Sequence, residues 1–203
     1  MKEIELVQNQ INRIPRGKPF PISAIGHEAS YANVRQVLSR LVKSGEIMRA
    51  TRGIYVRPKE VPYLGKVLPP SEEVVKAISK QTGEIITPHG AEAVRMLYLS
   101  TQVPMRPIYN TNGTSRKIKL GKQTITLKHI SPRKQLKPGT ITGLVITALW
   151  YLGKSNITEN TIITLKERLN EQQFSEVLKH TNQMPVWMAH AFKQYKSEVT
   201  HVR

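Results

Sequence analysis

The chain has 203 residues, 39% of them hydrophobic, and carries 31 Lys and Arg against 14 acidic residues, a net charge of +17. That excess points to a polyanionic partner, and the length suits one moderate core or two small ones. The lack of cysteine removes disulfides, thiolate metal sites and a Cys nucleophile, and the lack of any Asp removes Asp-dependent phosphoryl transfer and a Ser-His-Asp triad.

From the N-terminus, Ile4 to Ile14 reads as an amphipathic helix with Leu6, Val7 and Ile11 inward, stopped by Pro15-Arg16-Gly17. A short helix is expected at Ile22 to Ile25, followed by a turn at Gly26-His27-Glu28-Ala29. Then Tyr31, Val34, Leu38, Leu41 and Val42 fall at helical spacing on one side, with Ser30 as N-cap and Gly45 as the C-terminal stop. Two extended runs, Glu46 to Ala50 and Ile54 to Arg57, meet at Thr51-Arg52-Gly53. This order predicts a winged helix-turn-helix over residues 1–62.

Residues 63–203 are expected to form a second domain. Proline-rich Pro58 to Pro70 reads as a linker, and Ser71 caps a helix running to Gln81 with Glu72 and Glu73 in its first turn. A short extended piece, Glu84 to Thr87, leads to a helix from Gly90 to Leu99. Period-two runs then place Ile108, Ile118, Leu120, Ile125, Leu127 and Ile130 in three strands, broken at Asn112-Gly113 and Gly121-Lys122, which predicts a three-stranded meander within residues 63–140. Residues 141–203 read as helical: Ile141 to Leu152, Glu159 to Leu169, Phe174 to Lys179 and Val186 to Tyr195, with Trp150, Phe174, Trp187 and Phe192 as core. The expected class is α+β: a winged helix-turn-helix, then an α/β domain with a small antiparallel sheet and C-terminal helices.

An α-helix fits the major groove, where amide and guanidinium groups bond base edges. Ser30, Asn33, Arg35, Gln36, Ser39, Arg40 and Lys43 are therefore candidate DNA contacts, with Arg49, Arg52 and Arg57 of the wing directed at phosphates or the minor groove. The plainer alternative is a solvated face on a module built for protein contact. Residues 63–140 are the most basic segment, with 13 Lys and Arg against 4 Glu. Arg116, Lys117, Lys119, Lys122 and Lys128 are candidates for a second basic surface, either continuing along the same duplex or binding RNA or protein.

No metal-ligand, P-loop or dinucleotide motif occurs, so neither a cofactor nor an enzymatic activity is expected. His89, between Pro88 and Gly90, reads as a helix cap rather than a catalyst, and Gln102 as a loop-stabilising amide. No leader-like opening and no apolar run of the ~20 residues that a membrane span needs is present, so a soluble cytoplasmic protein is expected.

Three stretches carry a family likeness: Ile86-Thr87-Pro88-His89-Gly90-Ala91-Glu92-Ala93, then Leu97-Tyr98-Leu99-Ser100-Thr101-Gln102-Val103-Pro104, then Tyr109-Asn110-Thr111-Asn112-Gly113-Thr114-Ser115-Arg116. They resemble the AbiEi-type antitoxins and the related DUF6088 proteins, in which a Pro-x-Gly-Ala helix leads to a Leu-Ser/Thr-Thr-Gln-Val-Pro segment, a tyrosine strand and a Thr-x-Gly-x-x-Arg turn. The resemblance implies a type IV toxin-antitoxin or abortive-infection antitoxin that represses its own promoter by binding repeats in it. It also implies a nucleotidyltransferase-like toxin as the opposed partner, with direct contact left open. On that likeness the DNA-reading helix maps to Tyr31 to Ser44, and the repressor role to the basic surface of residues 30–57.

Overall fold

The structure is a computed structural model that describes residues 2–27 and 29–201. Glu28, in the expected turn, lies outside the described residues. Among those described, the chain is mixed α+β with eight α-helices and small sheets. It forms two compact units, residues 1–86 with 115–127 and residues 87–114 with 128–203. This division does not follow the boundary expected at residue 62, because α3 (Ser71–Thr82) packs on the N-terminal elements and the segment 115–127 returns to them.

The first unit opens with α1 (Lys2–Arg13), which buries Val7 and Ile11 but leaves Leu6 42% exposed, so Leu6 is not a core residue. β1 (Pro19–Pro21) leads to a single 3-10 turn at Ile22–Ala24, shorter than the expected helix. Next comes α2 (Tyr31–Lys43), whose buried side is Val34, Val37, Leu38 and Leu41. Tyr31, expected inside, is 66% exposed, because it lies on the outward row of α2 with Arg35 and Ser39, four and eight residues on. β2 (Met48–Thr51) and β3 (Ile54–Val56) form an antiparallel pair with an irregularity between Arg49 and Thr51, and β1 pairs with the other edge of β3. The core of these elements gathers Val7, Ile11, Phe20, Ile25, Val34, Val37, Leu38, Leu41 and Ile47.

Residues 58–70 hold a hairpin where a linker was expected. β4 (Lys59–Val61) pairs with β5 (Gly65–Val67), Lys59 opposite Val67 and Val61 opposite Gly65. Three-residue strands are too short to display an alternation, and the proline density hid them. Pro70, rather than Ser71, is the N-cap of α3, which ends at Gly83 in a left-handed conformation (φ +72°). The chain then leaves through β6 (Ile86–Pro88) and later β7 (Ile108–Thr111), and returns as β8 (Arg116–Leu120) and β9 (Gln123–His129). β8 and β9 pair around the two-residue turn Gly121-Lys122, with Gly121 at φ +59°.

The expected meander is not formed. The strand order is β6-β7-β9-β8, so β7 lies between β6 and β9 and not beside β8. The turn after β7 is held by the Thr111 hydroxyl, which accepts from the Gly113 amide at 3.0 Å, and by the His129 ring, 2.8 Å from the Gly113 carbonyl. His129 ends β9, so local bonding favours that strand over a direct β7–β8 hairpin.

The second unit is mainly helical: α4 (Gly90–Met96), α5 (Ile141–Leu152), α6 (Glu159–Arg168), α7 (Glu171–Lys179) and α8 (Val186–His201). Val145, Ile146, Ala148 and Leu149 of α5 sit at the centre of its core, with Ala93, Val94, Ile162, Leu165, Val177, Met188 and Phe192 around them. α4 approaches α5 closely because Gly90 has no side chain; a Cβ there would stand 2.2 Å from Cβ of Tyr151. Phe174 and Phe192 are buried as expected, while Trp150 and Trp187 are half-buried and meet edge to face at 5.6 Å. No described helix is long and apolar enough to cross a membrane.

Candidate nucleic-acid interface

The candidate surface belongs to the first unit and begins with the orientation of α2. The Ser30 hydroxyl accepts from the Asn33 amide at 3.3 Å, capping the helix, so its role is local. Before the cap, the Gly26 amide donates to the side-chain carbonyl of Gln10 at 2.7 Å, tying the turn to α1. Gly26 has φ +73°, and a Cβ there would lie 2.2 Å from Cγ2 of Val34. A glycine is required for the turn to sit this close to α2.

Burying Val34, Val37, Leu38 and Leu41 fixes the opposite side of α2. Arg35, Gln36, Ser39, Arg40 and Lys43 are all exposed there, on two i, i+4 rows. No acidic residue occurs in α2, and Arg40 and Lys43 in its last turn favour the negative end of the helix dipole. The Arg35 guanidinium lies over the Tyr31 ring, 5.8 Å from its centroid. Tyr31 thus joins the exposed row. Its Arg partner four residues on was the sequence signal that could have placed it there.

Asn33 is half-buried and committed elsewhere. Its side-chain amide donates to the Glu3 carboxylate at 2.8 Å, and the Ser30 amide donates to the same oxygen at 3.4 Å. These two bonds, that of Asn33 first, hold the Glu3 carboxyl below its ordinary value. Sequence reasoning missed Glu3, since nothing local reveals a partner thirty residues away.

The β2–β3 hairpin presents Arg49 and Arg52 as exposed side chains. Gly53 at its tip has φ +78°, its carbonyl accepts from the Ile22 amide at 2.9 Å, and a Cβ would come within 2.5 Å of the Gln81 amide nitrogen. The hairpin tip is therefore braced by the 3-10 turn and by α3. Arg57 points the other way, donating to the Asn12 carbonyl at 2.5 Å and the Ile14 carbonyl at 2.8 Å, where it satisfies the free end of α1.

Of the second basic group, Lys117, Lys119 and Lys122 are exposed. Arg116 shares the alternation of buried Ile118 and Leu120 and makes a two-pronged ion pair with Glu84, both contacts at 3.0 Å. Lys128 is exposed in the second unit, where its charge adds to burial in holding His89 below its ordinary value. His89 caps α4 through Nδ1, which accepts from the Ala91 amide at 3.4 Å. No group of three or more His or Glu that would hold a metal occurs among the described residues. Gln102 is exposed, and the bond to the Ser100 hydroxyl at 3.1 Å is donated by its backbone N–H rather than by its side-chain amide.

Compared with known proteins, the chain finds no match among curated proteins or solved structures. Its sequence does match a family of unknown function, DUF6088, over residues 6–177. That span takes in α2, the β2–β3 hairpin, the β8–β9 hairpin and most of the helical unit, and the chain belongs to the DUF6088 family.

Proposed function

We propose that the first unit is a winged helix-turn-helix that docks α2 in the major groove of duplex DNA, and that the chain is a DNA-binding antitoxin of the AbiEi kind that represses its own promoter. The observation that carries the DNA reading is the outward side of α2, on which Arg35, Gln36, Ser39, Arg40 and Lys43 are exposed with no carboxylate among them. The order α1, β1, 3-10 turn, α2, β2, β3 and the sheet order β1-β3-β2 support it, as does a two-residue hairpin tip bearing Arg52. In this arrangement Arg35, Gln36 and Arg40 read base edges, while Lys43, Arg49 and Arg52 hold phosphates. The site of action is then the cytoplasm, where the DNA is.

The antitoxin part rests on the resemblance of the Pro88-to-Arg116 motifs. Its partner is a nucleotidyltransferase-like toxin encoded nearby. No cofactor is called for.

The test is a titration of the purified protein against its own upstream duplex and a scrambled duplex of equal length, at several salt concentrations. A preference of about 10³ or more for the upstream duplex supports repression in cis. Equal, salt-sensitive binding to both sinks it. Co-expression with the neighbouring toxin then separates antitoxin from stand-alone regulator: rescue of growth supports the first, and unrelieved toxicity leaves a winged-helix regulator.

A further inference from the structure

We infer that the β8–β9 hairpin is a second phosphate-binding element for the same duplex, built from the middle of the chain into the DNA-binding unit. The inference rests on the proposed docking of α2 and extends its footprint. Residues 93–158 contain 11 Lys and Arg and no acidic residue at all, which is the longest acid-free stretch of the chain. From within that stretch, segment 115–127 alone belongs to the first unit, where β8 packs beside β2, the strand that carries Arg49.

Alternation decides what this hairpin shows to solvent. Ile118 and Leu120 of β8 and Ile125 and Leu127 of β9 are buried. Lys117 and Lys119 take the other face, opposite Thr126 and Thr124 in register, and Lys122 stands exposed in the turn. Two of these three cations thus stand beside hydroxyl side chains, with no carboxylate on either strand. Glu84, the carboxylate that does reach the hairpin, is bound to Arg116 on the opposite face. Such a face costs self-repulsion in isolation and is offset by a polyanion whose charges recur along a line, as those of a duplex backbone do. Lysines bonding phosphates contribute affinity that is indifferent to sequence and strongly dependent on salt.

The experiment compares the full chain with Lys117→Gln/Lys119→Gln/Lys122→Gln, with the matching triple Arg variant, and with Arg35→Ala/Arg40→Ala. Each is titrated on the upstream and scrambled duplexes between 50 and 200 mM salt, and on a single-stranded RNA of the same length. Each phosphate neutralised adds about 0.9 to the slope of log affinity against log salt. The Gln triple is expected to lower that slope by about 2 to 3 with the upstream-to-scrambled ratio unchanged, and the Arg triple to restore it. An unchanged slope for a Gln triple that melts like the parent overturns the inference, as does a loss confined to RNA. Failure of Arg35→Ala/Arg40→Ala to reduce the ratio overturns instead the docking of α2, so the two readings fail separately.

Discussion

The Glu3 carboxylate accepts a 2.8 Å hydrogen bond from the side-chain amide of Asn33, joining the first turn of α1 to the first turn of α2. An amide held in this way is not available to an adenine edge, although Asn is a favoured reader there. Asn33→Ala is therefore expected to lower the melting temperature and to leave the preference for the upstream duplex intact. Arg35→Ala and Arg40→Ala, by contrast, should each cost about 1–3 kcal/mol of discrimination, roughly 5- to 150-fold, with little change in melting. Because the folded carboxyl titrates below its ordinary value, the tie contributes fully above that value of 4.5 and is lost as pH falls through the lower folded one. Paired melting and binding titrations of the three variants decide it; a loss of specificity in Asn33→Ala with unchanged melting would return Asn33 to the base readers.

Arg57 closes the other end of α1. Its guanidinium bonds two carbonyls, of Asn12 and Ile14, that have no helical partner. Removing a charged donor from two carbonyls is worth about 1–2 kcal/mol at this partly exposed position. Arg57→Ala should thus destabilise the chain by that amount while leaving the salt slope of DNA binding unchanged. A slope reduced by about 1 with unchanged stability would make Arg57 a phosphate contact instead.

What the sequence made legible follows from the range of the forces involved. α5 was bounded correctly at Ile141 and Leu152, and the cap at Ser30 was readable, because helical period and capping are local. The strand partners of β7 were not, since the Asn112-Gly113 turn signal marks where a strand ends and not which strand lies beside it. The candidate interface shows the same division. The outward exposure of Arg35, Gln36, Ser39, Arg40 and Lys43 was readable from spacing alone, whereas Asn33, Arg57 and Arg116 have the same polar or basic character and are engaged by groups 30, 45 and 32 residues away. Charge composition cannot separate a cation facing solvent from one satisfied by the fold.

Arg116 and Lys117 are adjacent in β8 and lie on opposite faces, which makes them a test of that distinction. Arg116 is partly buried and holds Glu84 with two 3.0 Å contacts; Lys117 is exposed opposite Thr126. Arg116→Gln leaves a half-buried carboxylate without its bidentate partner and is expected to cost about 1–3 kcal/mol. Lys117→Gln should stay within about 0.5 kcal/mol of the parent, as surface changes do. Denaturant midpoints of the two single variants measure the difference. Equal losses would mean that the strand, not the ion pair, is being disturbed.

His89 gives the second unit a dependence on pH of predictable sign. Its Nδ1 caps α4 by accepting from the Ala91 amide, and its ring meets Tyr151 edge to face at 5.6 Å. Burial first, and the Lys128 charge second, hold it below the ordinary value of 6.5, so the folded state prefers the neutral ring that the cap requires. Its contribution is fully present above pH 6.5 and declines as pH falls from there to the folded value, because in that window the unfolded chain binds the proton more tightly. His89→Asn keeps a side chain that caps well and removes the titration. Between pH 7.5 and 5.0 the parent should therefore lose more thermal stability than His89→Asn, in about that range of pH rather than near neutrality. Parallel melting curves across the range would show that protonation leaves the cap intact.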